Sequence, residues 1–146
     1  FNYLKEKNIT CIVATHDSTD ALSFADNILV MKDGELVALD SPESLYEKPP
    51  SKYVASFFGD INEIKIKNID SISKSKESIL LYPHEISIDS ASNLKALVKQ
   101  SYLMEGIYLI HVIFYEETIF LHHNESIEKG VEIGLKFKSE KIMLRS

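Results

Sequence analysis

His16 is the residue of this chain whose type and position best suit acid–base chemistry. It follows a short run of small or β-branched apolar residues at positions 11–14 and a threonine, and it precedes an aspartate. Such a run predicts a strand over residues 11–15 that is buried on both faces, as in a parallel α/β sheet. Open α/β sheets bind ligands at the carboxyl ends of their strands, so the imidazole of His16 is a candidate for proton transfer or hydrogen bonding near pH 7. The alternative is a structural histidine at the end of a strand.

The elements around this strand predict a piece of an α/β domain. Residues 1–7 have the apolar spacing of the last turns of a helix, and residues 18–25 have the spacing of a second helix that Asp17 or Ser18 can cap. A single strand-to-helix unit at the start of the chain has no neighbour in its sheet. We therefore expect the first segment to be the tail of a larger α/β domain.

A hairpin and two short helices follow. Asp33 and Gly34 separate the apolar runs 28–32 and 35–39, which is a strong hairpin signal because both turn positions need positive φ. Ser41 and Pro42 then predict the start of a helix that continues to about residue 47. Ser51 predicts the start of another over residues 52–58, which Gly59 ends.

The pattern changes at about residue 60, where short alternating strands replace helices. We place the boundary at residues 59–62 and expect two domains, 1–60 and 61–146. A polar turn is predicted at residues 71–78. Strands are predicted near residues 64–69, 78–82, 85–88, 94–104, 106–115, 118–122, 131–137 and 141–144. Short strands at regular spacing are typical of a small all-β barrel or sandwich.

Composition excludes several classes of protein. The 146 residues carry a net charge of −6, with −5 on residues 1–60 and −1 on residues 61–146, and Arg145 is the only arginine. This balance disfavours a nucleic-acid partner and a phosphate-clamping surface. No apolar run approaches the roughly 20 residues that span a bilayer, so we expect no membrane insertion. Cys11, the only cysteine, rules out an internal disulfide and favours a reducing compartment and a packed core thiol.

Two further groups of residues invite functional interpretations that their patterns do not favour. His122 and His123 are adjacent on a predicted strand, where neighbours point to opposite faces, so we expect no metal site there. Several aromatic residues of the β-segment could stack nucleobases, but they lack interleaved basic residues and are predicted to be core. These are Tyr102, Tyr108, Phe114, Tyr115 and Phe120.

Five ordered motifs give residues 1–59 a family resemblance. They resemble the end of the ATP-binding subunit of ABC transporters, in the importer subgroup that carries a C-terminal regulatory β-domain of the TOBE type. The motifs are Thr15-His16-Asp17, which resembles the switch histidine of that family, Ala25-Asp26-Asn27-Ile28, Met31-Lys32-Asp33-Gly34, the stretch from Ser41 to Pro49, and the stretch from Tyr53 to Gly59. In the β-segment, only the proline of the family's Arg-Pro-Glu is kept in Tyr82-Pro83-His84.

The resemblance implies a function for the intact protein. His16 would contact the γ-phosphate of ATP and the attacking water, which makes it the one catalytic and cofactor-binding residue expected here. ATP and Mg²⁺ would be the cofactors of the full-length subunit, which would couple ATP hydrolysis to solute uptake beneath transmembrane permease subunits. The subunit would be cytoplasmic, peripheral on the inner face of the membrane, and a homodimer.

Other catalytic parts are not in this sequence. None of its five glycines opens a Gly-x-x-x-x-Gly-Lys-Ser/Thr loop, and no apolar run ends in Asp-Glu. We therefore expect the 146-residue chain to be inactive alone and to hold no cofactor. Apolar residues between positions 9 and 39 are expected to pair copies of the chain. The rival interpretations are a stand-alone ligand-sensing β-barrel module for an oxyanion or small solute, and an OB-like nucleic-acid module that the charge disfavours.

Overall fold

A computed structural model describes residues 2–69 and 76–146. The chain divides into two compact units, residues 1–58 and residues 59–146. The described residues are mostly β-structure, with one five-stranded sheet, two two-stranded sheets and short helices. Within the described part of the chain, no helix combines the length and the apolarity needed to cross a membrane.

The first unit begins with two short helices, α1 (Asn2–Glu6) and α2 (Ser18–Phe24). Asp17 is the N-cap of α2, and its side chain accepts a hydrogen bond from the Thr19 backbone N–H. A short side-chain oxygen at this position satisfies a donor that the helix itself cannot pair. The helix predicted after His16 and its cap are therefore confirmed.

The buried strand predicted over residues 11–15 is wrong. These residues have no regular secondary structure and are exposed, with Ile12 at 90% of its full accessibility. A parallel strand exists only where neighbouring strands pair its backbone, and no described residue pairs with this segment. Cys11 is consequently exposed, and the core thiol expected from the pattern is not formed.

The predicted hairpin is confirmed. Strands β1 (Ile28–Lys32) and β2 (Glu35–Asp40) pair antiparallel, and both turn residues have positive φ, 52° at Asp33 and 80° at Gly34. Glycine adopts this conformation without the steric cost that a Cβ imposes.

Two capped helices complete the first unit as predicted. They are α3 (Pro42–Glu47) and α4 (Lys52–Phe57), and the side chains of Ser41 and Ser51 accept the capping hydrogen bonds. These helices bury a small cluster against the hairpin. Its buried members are Ile28, Val30, Leu45 and Val54.

The described residues of the second unit form seven strands. Strands β3 (Asn62–Lys65) and β4 (Ser78–Leu81) pair with each other. The other strands form a five-stranded antiparallel sheet in the order β5-β9-β6-β7-β8. Their bounds are β5 (Ile86–Ile88), β6 (Lys95–Met104), β7 (Ile107–Phe114), β8 (Glu117–His123) and β9 (Glu132–Phe137).

Period-2 alternation places one face of these strands in a continuous core. Residues 110, 112 and 114 of β7 and residues 119 and 121 of β8 are fully buried, while the residues between them are partly or fully exposed. This is the burial expected for an antiparallel sheet with one packed face. The unit therefore has the hydrophobic core that the alternating pattern predicts.

Two predictions for the second unit need correction. Residues 141–144 are not a strand, because Ser139–Arg145 forms helix α5 with Ile142 and Arg145 buried three residues apart on one face. The strand predicted near residues 64–69 ends at Lys65, and a 3-10 turn (Ile66–Asn68) follows. Most of the polar turn predicted at 71–78 lies outside the described residues.

Candidate functional site

His16 lies directly before the N-cap of α2 and is exposed. Two local hydrogen bonds fix the backbone on either side of it. The Asp17 N–H donates to Thr15 Oγ1 at 2.9 Å, and the Thr19 N–H donates to Asp17 Oδ1 at 2.8 Å. Within residues 2–69 and 76–146, the His16 side chain makes no hydrogen bond or ion pair. The imidazole is therefore held at a defined backbone position and is accessible to a ligand.

A groove of about 560 Å³ lies between α2 and α3, but His16 is not part of it. Its lining combines apolar and acidic side chains. The lining residues are Leu22, Ser23, Ala25, Asp26, Ser41, Pro42, Glu43, Tyr46 and Glu47. The predicted catalytic histidine thus lies outside this groove.

The structure does not bring the adjacent residues His122 and His123 to the same face of the sheet. His122 pairs across the sheet with Leu109, and His123 pairs with Tyr108, so neighbouring histidines alternate between faces. The ring of His122 instead approaches that of His84, with 6.4 Å between ring centroids. Among the residues that the structure describes, no three His, Cys, Asp or Glu side chains form a group able to hold a metal ion.

Glu85 and Arg145 form a buried ion pair that the sequence analysis missed. Arg145 Nη1 donates to Glu85 Oε1, and Nη2 donates to Glu85 Oε2 at 2.9 Å. The two residues are only 3% and 4% exposed. Such a bidentate pair fixes the guanidinium and carboxylate planes together. The signal in the sequence was a lone arginine three residues after an isoleucine, a spacing that marks one face of a helix.

Further hydrogen bonds hold this pair in place. Arg145 Nη1 also donates to the Leu80 carbonyl at 3.2 Å, and the Tyr82 N–H donates to Glu85 Oε1 at 2.8 Å. Pro83, which the sequence aligned with the family's Arg-Pro-Glu, opens the 3-10 turn Pro83–Glu85 that presents the carboxylate. In this chain, the buried ion pair between Glu85 and Arg145 occupies the region around Pro83.

The aromatic residues predicted as core divide into two groups. Phe114 is fully buried, and Tyr108 packs against the core. Phe120 is half-buried, lies outside the core cluster and stacks on His111 with 5.0 Å between centroids, so the prediction of a core position is wrong for it. Tyr102 and Tyr115 are exposed, so the prediction of a core position is wrong for these two. Tyr115 lies in the tight turn between β7 and β8 with φ of 46°, which places its ring outside the packed face.

Known proteins resemble this chain along nearly its whole length. It is 27% identical over 157 aligned residues to the spermidine/putrescine import ATP-binding protein PotA of Onion yellows phytoplasma, covering 94% of this chain and 38% of that protein. It is 30% identical over 161 residues to the Fe(3+) ions import ATP-binding protein FbpC of Fusobacterium nucleatum, covering 92% and 43%. It is 34% identical over 88 residues to the sulfate/thiosulfate import ATP-binding protein CysA of Pseudomonas aeruginosa, covering 60% and 25%. No protein-family model matches the sequence.

Relatives that align with 92–94% of this chain are thus ATP-binding subunits of ABC importers, and the resemblance predicted from its motifs is confirmed. The chain spans about two fifths of the length of the first two relatives described above. The relatives are named for three different solutes.

Proposed function

We propose that this chain is the C-terminal part of the ATP-binding subunit of an ABC importer, which couples ATP hydrolysis to solute uptake. The observation that carries the proposal is the similarity to importer ATP-binding proteins over 94% and 92% of the chain. The local structure supports it, because the elements after Thr15-His16-Asp17 follow in the order that the family motifs require. They are a capped helix, a hairpin with an Asp-Gly turn and two serine-capped helices.

His16 is the proposed catalytic and ATP-contacting residue of this part of the subunit. Its exposed imidazole, fixed before a capped helix, can hydrogen-bond the γ-phosphate and the attacking water. In the whole subunit, ATP would supply the phosphoanhydride that is cleaved, and Mg²⁺ would neutralise phosphate charge. The sequence holds no glycine-rich phosphate loop, so other residues of the whole subunit would hold both groups. The 146-residue chain alone should neither bind nor hydrolyse ATP.

The proposed partners are transmembrane permease subunits and a second copy of the ATP-binding subunit. The subunit would work in the cytoplasm as a peripheral protein on the inner face of the membrane. Its solute is one of the classes that importers of this family carry. The relatives named for polyamines, ferric ions and sulfate or thiosulfate are about equally similar to this chain.

We further propose that residues 1–60 end the nucleotide-binding domain and that residues 61–146 are a regulatory, dimerising TOBE-like β-domain. The separate core of the second unit supports this division. A chain that starts at Asp60 should then keep a cooperative β-type fold by circular dichroism. Loss of that fold while the 146-residue chain remains folded would contradict the division.

The decisive test uses the full-length subunit with His16→Ala. We expect ATP turnover to fall by about 10²–10⁴-fold, the usual contribution of a positioned acid–base group, while nucleotide binding is largely kept. His123→Ala is the matched control, because it removes an imidazole from the β-domain and should leave turnover unchanged. Unchanged hydrolysis in His16→Ala would remove His16 from the mechanism.

A further inference from the structure

A turn closed by a side-chain hydroxyl encloses His16. The Asp17 backbone N–H donates to Thr15 Oγ1 at 2.9 Å, so the bond joins the two neighbours of the histidine. A threonine hydroxyl that accepts from the N–H two residues later replaces the carbonyl of an ordinary backbone turn. Because Thr15 and Asp17 are two positions apart, the turn depends only on adjacent residues. It needs no strand beside residues 11–15, a segment that no described strand pairs.

Asp17 is the fixed side of this turn. It is the N-cap of α2, where its carboxylate accepts from the Thr19 N–H at 2.8 Å and its carbonyl accepts from the Ala21 N–H at 3.3 Å. An N-cap residue uses its carbonyl and its side chain in the helix, but not its own N–H. In this chain, that N–H is the group that donates to Thr15 Oγ1. The hydroxyl therefore connects the residue before His16 to the start of the helix.

The direction of the His16 imidazole depends on this turn. No described residue forms a hydrogen bond with the ring, whereas a histidine that acts in catalysis is commonly oriented by a partner on its second nitrogen. Without such a partner, the backbone conformation of His16 decides where the ring can point. Threonine suits the task of fixing that conformation, because its branched Cβ restricts χ1 and keeps the hydroxyl directed at the Asp17 N–H.

We propose that Thr15 is a positioning residue for ATP hydrolysis, and that its hydroxyl acts through His16 by holding the turn that directs the imidazole. The inference rests on the catalytic role proposed above for His16. Thr15 Oγ1 already accepts from the Asp17 N–H, so its role requires no contact with the substrate. A turn that is open part of the time misplaces the imidazole while it is open. Turnover then falls with the fraction of molecules in which the catalytic group is correctly placed.

Thr15→Val in the full-length subunit tests this role, since valine is also branched at Cβ but has no hydroxyl. Loss of one exposed hydrogen bond shifts the turn by about three- to tenfold, so kcat should fall by that factor while KM for ATP stays unchanged. Thr15→Ser keeps the acceptor and should restore most of the turnover. Thr19→Val is the matched control and should leave turnover unchanged. It removes a hydroxyl that makes no hydrogen bond within the described residues and keeps the N–H that donates to Asp17.

A double variant separates positioning from a general structural effect. In His16→Ala no imidazole is left to direct, so adding Thr15→Val should not lower turnover further. A further loss of the same size in that background would overturn the inference, and so would a Thr15→Ser variant as slow as Thr15→Val. Both results leave the role of His16 intact. Full turnover in His16→Ala would instead contradict the proposed function itself, and the inference with it.

Amide exchange of the 146-residue chain gives a measurement that does not depend on activity. The Asp17 amide should exchange about three- to tenfold faster in Thr15→Val than in the unchanged chain, and at nearly the unchanged rate in Thr15→Ser. Thr19→Val should leave the rate as it is. Equal exchange of this amide in Thr15→Val and in the unchanged chain would show that the hydroxyl does not hold the turn, which would overturn the inference.

Discussion

The two units differ in how completely they bury the apolar residues that their patterns offer. In the described part of the second unit, sixteen buried residues from the strands, the 3-10 turn Ile66–Asn68 and α5 form one cluster. In the first unit, the buried cluster has only four members, and the outer side of the hairpin leaves Leu29 58% exposed. Both units contain strongly apolar strands, so the difference lies in the number of strands that are present to pair and pack.

This comparison shows that apolar pattern and burial are separate properties. Alternation decides which face of a strand can be buried, but a second layer must cover that face before the burial stabilises anything. A two-stranded hairpin has little stability of its own, and here α3 and α4 cover one side of it. The predictions below test whether specific contacts in the second unit, and exposed apolar residues in the first, have the roles that this difference implies.

The largest effect is expected from Arg145→Met. It leaves the Glu85 carboxylate buried without its partner, which typically costs about 3–5 kcal/mol. Urea unfolding of the 146-residue chain, followed by the NMR intensities of β7 amides, measures the stability of the second unit. The double variant Arg145→Met with Glu85→Gln should recover part of the loss because it no longer buries a charge. A loss below 1 kcal/mol in the single variant would show that the pair is not structural.

Gly134→Ala should have the second largest effect. A Cβ at this position would overlap the Asp89 carbonyl oxygen and come within 3.1 Å of the Ser92 carbonyl oxygen, so the loop must shift. Overpacking of this kind costs about 1–3 kcal/mol, and the same urea experiment measures it. Gly106→Ala is the comparison, since its Cβ meets nothing within 4 Å and only its φ of 71° resists the change. A smaller loss for Gly134→Ala than for Gly106→Ala would contradict the steric argument.

Asn62→Leu tests a contact at the open edge of β8. The Asn62 side chain donates to the Phe120 carbonyl at 2.7 Å and accepts from the Phe120 N–H at 2.9 Å. It thus pairs with the edge strand as another strand would. Removing it leaves two backbone groups unpaired, at a cost of about 1–2 kcal/mol. Asn62→Asp keeps the acceptor but buries a carboxylate against the Phe120 carbonyl, so it should cost at least as much as Asn62→Leu. No measurable loss for Asn62→Leu would show that this contact with the edge strand is unimportant.

The sequence predicted local elements well and predicted tertiary placement poorly. The Asp33-Gly34 hairpin, the serine caps and most strands of the second unit were confirmed because each depends on residues adjacent in the chain. The prediction of a strand at residues 11–15 was wrong because a strand forms only where neighbouring strands pair with its backbone. The strand predicted at residues 141–144 was wrong because Ile142 and Leu144 fit the period of a strand as readily as Ile142 and Arg145 fit that of a helix.

The residues of the candidate sites show the same contrast between features set by adjacent residues and contacts between residues far apart in the chain. The position of His16 before a capped helix followed from its neighbours, and its catalytic role stays a prediction. The Glu85–Arg145 pair joins residues sixty positions apart. The approach of His84 to His122 likewise depends on how the turn packs against β8. No local sequence pattern indicates such contacts between distant residues, so the sequence alone could not predict them.

The smallest effect on folding, but a large effect on association, is expected from Leu29→Asp. Leu29 is 58% exposed on β1, and β1 and β2 each present one edge that no described strand pairs. Exposed edges template pairing, and covering apolar surface contributes about 25 cal/mol per Å². We therefore expect the 146-residue chain to form a dimer or larger species through residues 9–39.

Light scattering should show a monomer for Leu29→Asp and for Ile12→Asp. Met143→Asp, which changes an exposed residue of the other unit, should leave association unchanged. A chain that is already monomeric while residues 9–39 keep the described structure would show that this apolar surface is stable without a partner.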